Sequence, residues 1–456
     1  MSQFQDRLLD RHARVLPIDP TAGDPGEPAP ARLVWLGVSF ASVVTIASLT
    51  AFGLFAYGAK YVFKDTLGLD PDVVSSLSLL IDIPLFLSFI PGMCRDRWRP
   101  FGAGDRLTFL ASSLAAACLS VVGGVVAPTT GRLVWILVAY SVMEVMVLSV
   151  ANGQLALISK RLGLTGRIGT IIAVAPVLTT AALSPLTGYL IQFWGWRDLC
   201  LVSAGMSMTG LVVVVWQPRA ILTRIARQDP TRIDGRPTEP LLQSVRRLLA
   251  RREVALAAVV WALWEFTAGW GTPLFFHFTN DIKMTQSQYE LTTTSLNLAS
   301  AASAVGYAGL CLWFPTRRLL YLGIGVGVVG CVGYAFVTDF RSGIVVSALV
   351  GLTCGIGNTA IVDLVLRVTP RRLEAVSAML AASGVALVSD LSDVIGSVLY
   401  QHGGFIAALT VTAVVNALDI PLLFLMPSRV FASPERTPVD DAITFVPALV
   451  TRPGKA

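Results

Sequence analysis

Long apolar runs recur along this chain with short basic turns between them, and that alternation limits what it can fold into. A hydrocarbon core about 30 Å thick takes roughly 20 helical residues to cross. Val73–Met93 and Leu107–Ala127 are two such runs. At their junction stands Gly92–Arg106, which carries Arg95, Arg97, Arg99 and Arg106 together with Asp96 and Asp105. Pro100 and Gly102 supply a turn, and the arginines pin it to the cytoplasmic side.

Composition agrees. The chain is 54% hydrophobic and 14% charged, with mean hydropathy +0.67. A water-soluble chain carries roughly 25% charged residues, so this one has too little polar surface to face water all round. It reads as an all-α, multi-pass membrane protein. The net charge of +6 does not point to nucleic acid, because the basic residues sit between the apolar runs. Cys94, Cys118, Cys200, Cys311, Cys331 and Cys354 show no C-x-x-C spacing and no histidine at metal spacing. They read as small packing residues.

In chain order, residues 1–31 form a polar, Pro-rich cytoplasmic tail expected to be disordered. Six spans follow within 32–216: Leu33–Phe63, the two runs above, Leu133–Ile158, Ile168–Ile191 and Leu199–Trp216. Pro176 and Pro185 are expected to break the fifth. Residues 217–253 form a basic cytoplasmic linker, in which Gln243–Arg252 reads either as a surface-lying amphipathic helix or as a solvated connector. Six more spans fill 254–427: Val254–Phe278, Tyr289–Trp313, Leu319–Val337, Gly343–Leu366, Ala375–Tyr400 and Phe405–Met426. Residues 428–456 form a cytoplasmic tail.

Orientation follows from the cations. With both ends inside, only Lys60, Lys64, Arg132, Arg197, Lys283 and Arg341 of the 35 Lys and Arg fall outside. On this reading none lies deep in a span. The halves also echo each other. Phe63-Lys-Asp-Thr-Leu-Gly aligns with Phe278-Thr-Asn-Asp-Ile-Lys at an offset of 215 residues, which sets Asp82 opposite Asn297. Twelve helices in two pseudo-symmetric six-helix bundles around one path is the expected architecture.

Gly92, Asp96 and Arg97 resemble the start of the loop between helices two and three in the major facilitator superfamily, G-x-x-x-D-R-x-G-R-R. The pattern departs at Arg99 and Pro100. Asp96-Arg97-Trp98-Arg99-Pro100-Phe101-Gly102 is similar to the D-R-x-P-x-x-G loop of folate–biopterin-type transporters with one residue inserted. The resemblance implies a secondary transporter working by alternating access, with spans one, four, seven and ten lining the cavity. It implies a plasma (inner) membrane location, a small-molecule substrate, and a monomer in the bilayer. The loop then reads either as a topological anchor or as a gate built on Gly92, Asp96, Arg97 and Arg99.

Asp82, Glu144, Glu265, Asp363, Asp390, Asp393 and Asp419 lie inside apolar spans, where an ionised carboxylate costs a few kcal/mol. Such groups hold protons or meet a cation, which makes proton coupling the expected drive. Glu144, Glu265 and Asp82 lead as proton or substrate sites, against a packing role. Asp390 and Asp393, at i and i+3, could share one proton. Asp363 reads as a structural or gate partner of Arg367. Asn152, Asn297 and Asn358 read as cavity groups or interhelical bonds, and Trp261 and Trp264 as ligand stackers or packing. Gly323-x-Gly-x-Gly327 reads as helix packing. No catalytic residue, metal ligand set or cofactor motif is expected. A sensor or assembly factor that kept this fold without transport is the rival reading.

Overall fold

A computed structural model of the chain describes residues 31–88, 105–162, 165–216, 251–368 and 374–431. No strand occurs among them. In hydrocarbon every backbone N–H and C=O must bond within the protein, and a helix does this inside one segment. Eight of these helices are long and apolar enough to cross a membrane.

The first half runs α1 (Ala31–Tyr61), α2 (Pro71–Ile81), α3 (Ile83–Phe86), α4 (Asp105–Val125), α5 (Thr130–Leu162), α6 (Thr165–Phe193), α7 (Trp196–Ser207) and α8 (Gly210–Val215). α2 and α3 are one run interrupted at Asp82, where φ is −90° and ψ is 2°. Pro84 follows and has no N–H to return to the Leu80 carbonyl, which favours a break there. The break expected in the fifth span does not occur. α6 continues through Pro176 and Pro185. Pro185 leaves the Ala181 carbonyl without its helical donor, and the Thr294 hydroxyl donates to that oxygen instead, at 3.3 Å.

The second half runs α9 (Arg252–Glu265), α10 (Thr272–Phe276), α11 (Gln286–Trp313), α12 (Thr316–Val332), α13 (Phe340–Val368), α14 (Glu374–Ala417), α15 (Asp419–Phe424) and α16 (Ser428–Phe431). The expected single span Val254–Phe278 is instead two helices with a non-helical stretch between Glu265 and Thr272, in which Trp270 N–H donates to Thr267 O at 2.9 Å. Gly271 turns there at φ 62°, a conformation that glycine takes without a side-chain clash. Two expected spans share α14, which Gly404 divides at φ 73°. Of the other expected spans, the second and seventh fall on broken helices (α2–α3, α9–α10), the eighth falls on α11, and the eleventh and twelfth share α14.

The sequence echo has a backbone counterpart. α1 ends in a π-helical turn, Val62–Thr66, and α10 in another, His277–Asp281. Leu67 N–H donates to Val62 O at 2.9 Å, and Ile282 N–H to His277 O at 3.1 Å. Leu69 N–H donates to Phe63 O at 3.0 Å, and Met284 N–H to Phe278 O at 2.9 Å. Gly68 (φ 62°) and Lys283 (φ 64°) both sit in the left-handed region. Each pair is 215 residues apart, the offset read from Phe63 and Phe278.

Each half has its own core. Phe40, Phe55, Phe63, Phe109 and Tyr140 are buried in the first, and Trp264, Leu320, Ile324 and Ile361 in the second. The Trp264 ring lies against Gly327 and Gly357, and Gly323 packs on the Gly357 backbone, so the glycine run is a helix contact. A side chain at Gly396 would run into the Ala268 carbonyl, which seats the non-helical stretch directly on α14. Two seams join the halves: α6 packs on α11, and α2 packs on α14.

Candidate functional site

Where a helix unwinds inside a membrane, its free N–H and C=O groups need partners. In the stretch between α9 and α10 those partners come from α14. Thr267 N–H donates to Ser392 Oγ at 3.2 Å and Gly269 N–H to Thr412 Oγ1 at 2.6 Å. Asn416 Nδ2 donates to the Trp264 carbonyl at 2.9 Å. Asp393 accepts the Thr272 N–H at 2.7 Å and the Thr272 hydroxyl at 2.6 Å. It therefore caps α10 across the helix boundary, where a carboxylate also meets the positive end of the helix dipole. Thr272 thus engages both Asp393 oxygens, one through its backbone N–H and the other through its hydroxyl.

Asp82, at the α2–α3 break, and Asp390, on α14, stand in the seam where those two elements pack together. The Asp82 charge also acts on Glu144 of α5. Lys60, half-buried in the last turn of α1, acts on Asp82, Asp390, Asp393 and Glu290. Lys60 lies in the last turn of α1, the helix-end position expected for it.

Glu290 belongs to the same group and was not among the expected site residues. It is buried, accepts a 2.8 Å hydrogen bond from Tyr61 Oη, and packs against Gly188. The Tyr61–Glu290 bond belongs to a polar layer joining the halves at the end of the π-helical turns. Gln286 Nε2 donates to Asp65 at 2.9 Å, Gln401 Nε2 to Asp72 at 2.7 Å, and Ser287 N–H to Gln192 at 3.1 Å. Lys64 lies over the Phe275 ring at 5.3 Å. Toward the other end, Ser88 and Ser383 share a hydrogen bond of 2.9 Å.

The other expected residues separate from this group. Glu265 ends α9 and accepts from Trp261 Nε1 at 3.0 Å. Trp261 is thus a hydrogen-bond donor, and buried Trp264 is a packing ring. Asp363 accepts from Tyr307 Oη at 3.3 Å. Asn297 is half-buried on α11, whereas Asn152 and Asn358 are exposed. Asp419 is fully buried and neither of its oxygens has a hydrogen-bond partner among the described residues. An apolar cavity of about 660 Å³ between α1, α6 and α7, lined by Ile46, Thr50, Leu178 and Leu186, lies apart from the acids.

The loop residues Gly92, Asp96, Arg97 and Arg99 lie outside the described residues, as do the tail 1–30, most of the linker, the side chain of Arg367 and the chain after 431. No group of His, Cys, Asp and Glu suited to a metal ion occurs among the described residues.

What the arrangement offers is a set of carboxyls contributed by both halves to a low-dielectric interior. Such groups bind and release protons or cations as the halves move. A family model described as Major Facilitator Superfamily matches residues 41–389. No curated protein matches the chain.

Proposed function

The chain belongs to the major facilitator superfamily, and from that premise we propose that this membrane transporter is a proton-coupled secondary transporter that works by alternating access. A transporter of this family is a multi-pass membrane protein with a small-molecule substrate. Our reading adds twelve spans in two six-helix bundles. Its supports are the twin π-helical turns at an offset of 215 and the broken or joined helices that fill the remaining span positions. The basic loops face the cytoplasm, with both termini, and the π-helical turns face outward. The protein acts as a monomer in the plasma membrane.

One observation carries the coupling: Asp82 and Glu144 come from the first half and Glu290 and Asp390 from the second, on helices that pack on one another across the seams α2–α14 and α6–α11 or beside them. Each half contributes acids, so a relative movement changes their burial and their distances from like-charged neighbours. That is how a rocking motion alters proton affinity. A solute that binds the group in only one arrangement then couples its passage to the proton's. Asp393 and Trp264 hold the unwound stretch in place, and Glu265 stands at its edge as a second proton or substrate group. The carboxyl excess fits a neutral or cationic solute better than an anion.

The test is a thermal-shift screen of the purified protein against metabolite and drug panels, followed by counterflow with the hits. Hits should exchange in proteoliposomes, and an imposed pH gradient should concentrate them. Exchange without pH-driven accumulation would remove the proton coupling.

A further inference from the structure

α14 gives way to α15 through a tightened turn. Leu418 N–H donates to Val415 O at 3.1 Å, three residues back instead of four. In such a turn the side chains at i and i+3 stand directly over one another. Asn416 and Asp419 are spaced in that way. Pro421 follows and has no N–H, so the Ala417 carbonyl between them lacks its usual helical donor.

Both side chains are enclosed by the protein: Asp419 is 0% exposed and Asn416 3%. The Asn416 amide is fixed in orientation by Nδ2, which donates to the Trp264 carbonyl at 2.9 Å. A carbonyl there can be met only by the nitrogen, so Oδ1 is left on the amide's other side. Asn416 Oδ1 and both Asp419 oxygens have no hydrogen-bond partner among the described residues. Around the turn, α15 packs on α9 and α12 in a core that includes Val260, Leu320, Ile324 and Leu423. Acceptors buried without a donor, and a carboxylate buried without a counter-charge, are strongly unfavourable in such surroundings.

We propose that Asn416 and Asp419 hold a resident monovalent metal cation, Na+, at the α14–α15 turn. Three oxygens, with the Ala417 carbonyl beside them, are hard donors of the kind that suit a hard cation. The charge selects its valence. One carboxylate is neutralised by one positive charge, whereas a divalent ion leaves a net charge in an apolar core. Asn416 also holds the carbonyl next to the last residue of α9, so an ion bound here fastens the end of α9 to the last span. The proposal concerns a bound ion and stands apart from the proton-coupling reading.

The experiment is thermal unfolding of the purified full-length protein in detergent at mildly alkaline pH. It compares NaCl with N-methyl-D-glucamine chloride at equal ionic strength, the organic cation being too large for an enclosed site. Na+ is expected to raise the melting temperature by about 2–4 °C, saturating with concentration as one-site binding requires. Asp419→Asn keeps the side chain's size, removes its charge and should abolish the Na+ increment. Asn416→Ala should raise the half-saturating Na+ concentration by about tenfold, the loss of one good ligand. Equal melting in the two salts overturns the site, and so does an Asp419→Asn protein that keeps the increment. Where Asp419→Asn yields no folded protein, Asn416→Ala decides, and an unmoved half-saturation overturns the site as well. The readout needs no substrate, so absence of transport leaves the site standing.

Discussion

Asp393 and Thr272 are joined twice, through the Thr272 backbone N–H at 2.7 Å and its hydroxyl at 2.6 Å. The carboxylate thus does for α10 what an N-cap residue does in an ordinary helix, but it reaches there from α14. Asp393→Ala should lower the stability of the purified protein by about 2–4 kcal/mol, because it strands a buried N–H and a buried hydroxyl. Thermal unfolding in detergent reads this, and Asp393→Asn should recover part of the loss by restoring an acceptor. A wild-type melting curve for Asp393→Ala, with transport abolished, would assign Asp393 to the transport chemistry instead.

This relationship also shows where the sequence is legible. Span positions follow from composition, since hydrocarbon accepts little else, and the repeat shows in Phe63 and Phe278. The unwound stretch did not show, because Ala268, Trp270, Leu274 and Phe275 keep the window apolar. Its signals were Gly269, Gly271 and Pro273, poor helix formers in close succession. Glu290 was missed because it stands beside Tyr289, where the eighth span was taken to begin. Of the acids, Asp82, Glu144 and Asp390 were readable as out of place in hydrocarbon. That Asp390 stands in the seam with Asp82, while Asp393 binds Thr272, depends on how α14 packs against two broken helices, which no local pattern encodes.

The Tyr61–Glu290 bond should help keep the π-turn end closed. Tyr61→Phe removes the hydroxyl and little else, at a cost of about 1 kcal/mol, which is roughly a fivefold shift in the population open at that end. A single cysteine at Ser287, whose N–H donates to Gln192 in the same layer, reports the change through an impermeant maleimide applied from outside. Unchanged labelling in Tyr61→Phe would show that the layer closes without this bond.

Outside the spans, Asp339 starts α13 with a reciprocal cap. Its carboxylate accepts the Ser342 N–H at 2.8 Å, and Ser342 Oγ accepts the Asp339 N–H at 3.1 Å. The Ser342 hydroxyl and N–H, with Arg341 nearby, hold the Asp339 carboxyl below its ordinary value. A depressed folded-state value stabilises the fold above the ordinary carboxylate pKa, about 3.9, and that contribution disappears as pH falls through the depressed value. Ser342→Ala should move the Asp339 titration upward, toward the ordinary range, as read by carbon NMR of aspartate-labelled protein. An unmoved titration would contradict the cap.

The central claim is that carboxyls shared between the halves carry the coupling proton. The most direct measurement is proton uptake into pyranine-loaded proteoliposomes when a counterflow-positive solute is added, compared for wild type, Glu144→Gln and Asp82→Asn. Gln and Asn keep size and hydrogen bonding but cannot titrate. The account predicts solute-dependent acidification for wild type. It predicts that acidification and pH-driven accumulation are lost in at least one variant that still exchanges solute at equal concentrations. Wild-type acidification and accumulation in both variants would contradict it and make these acids structural.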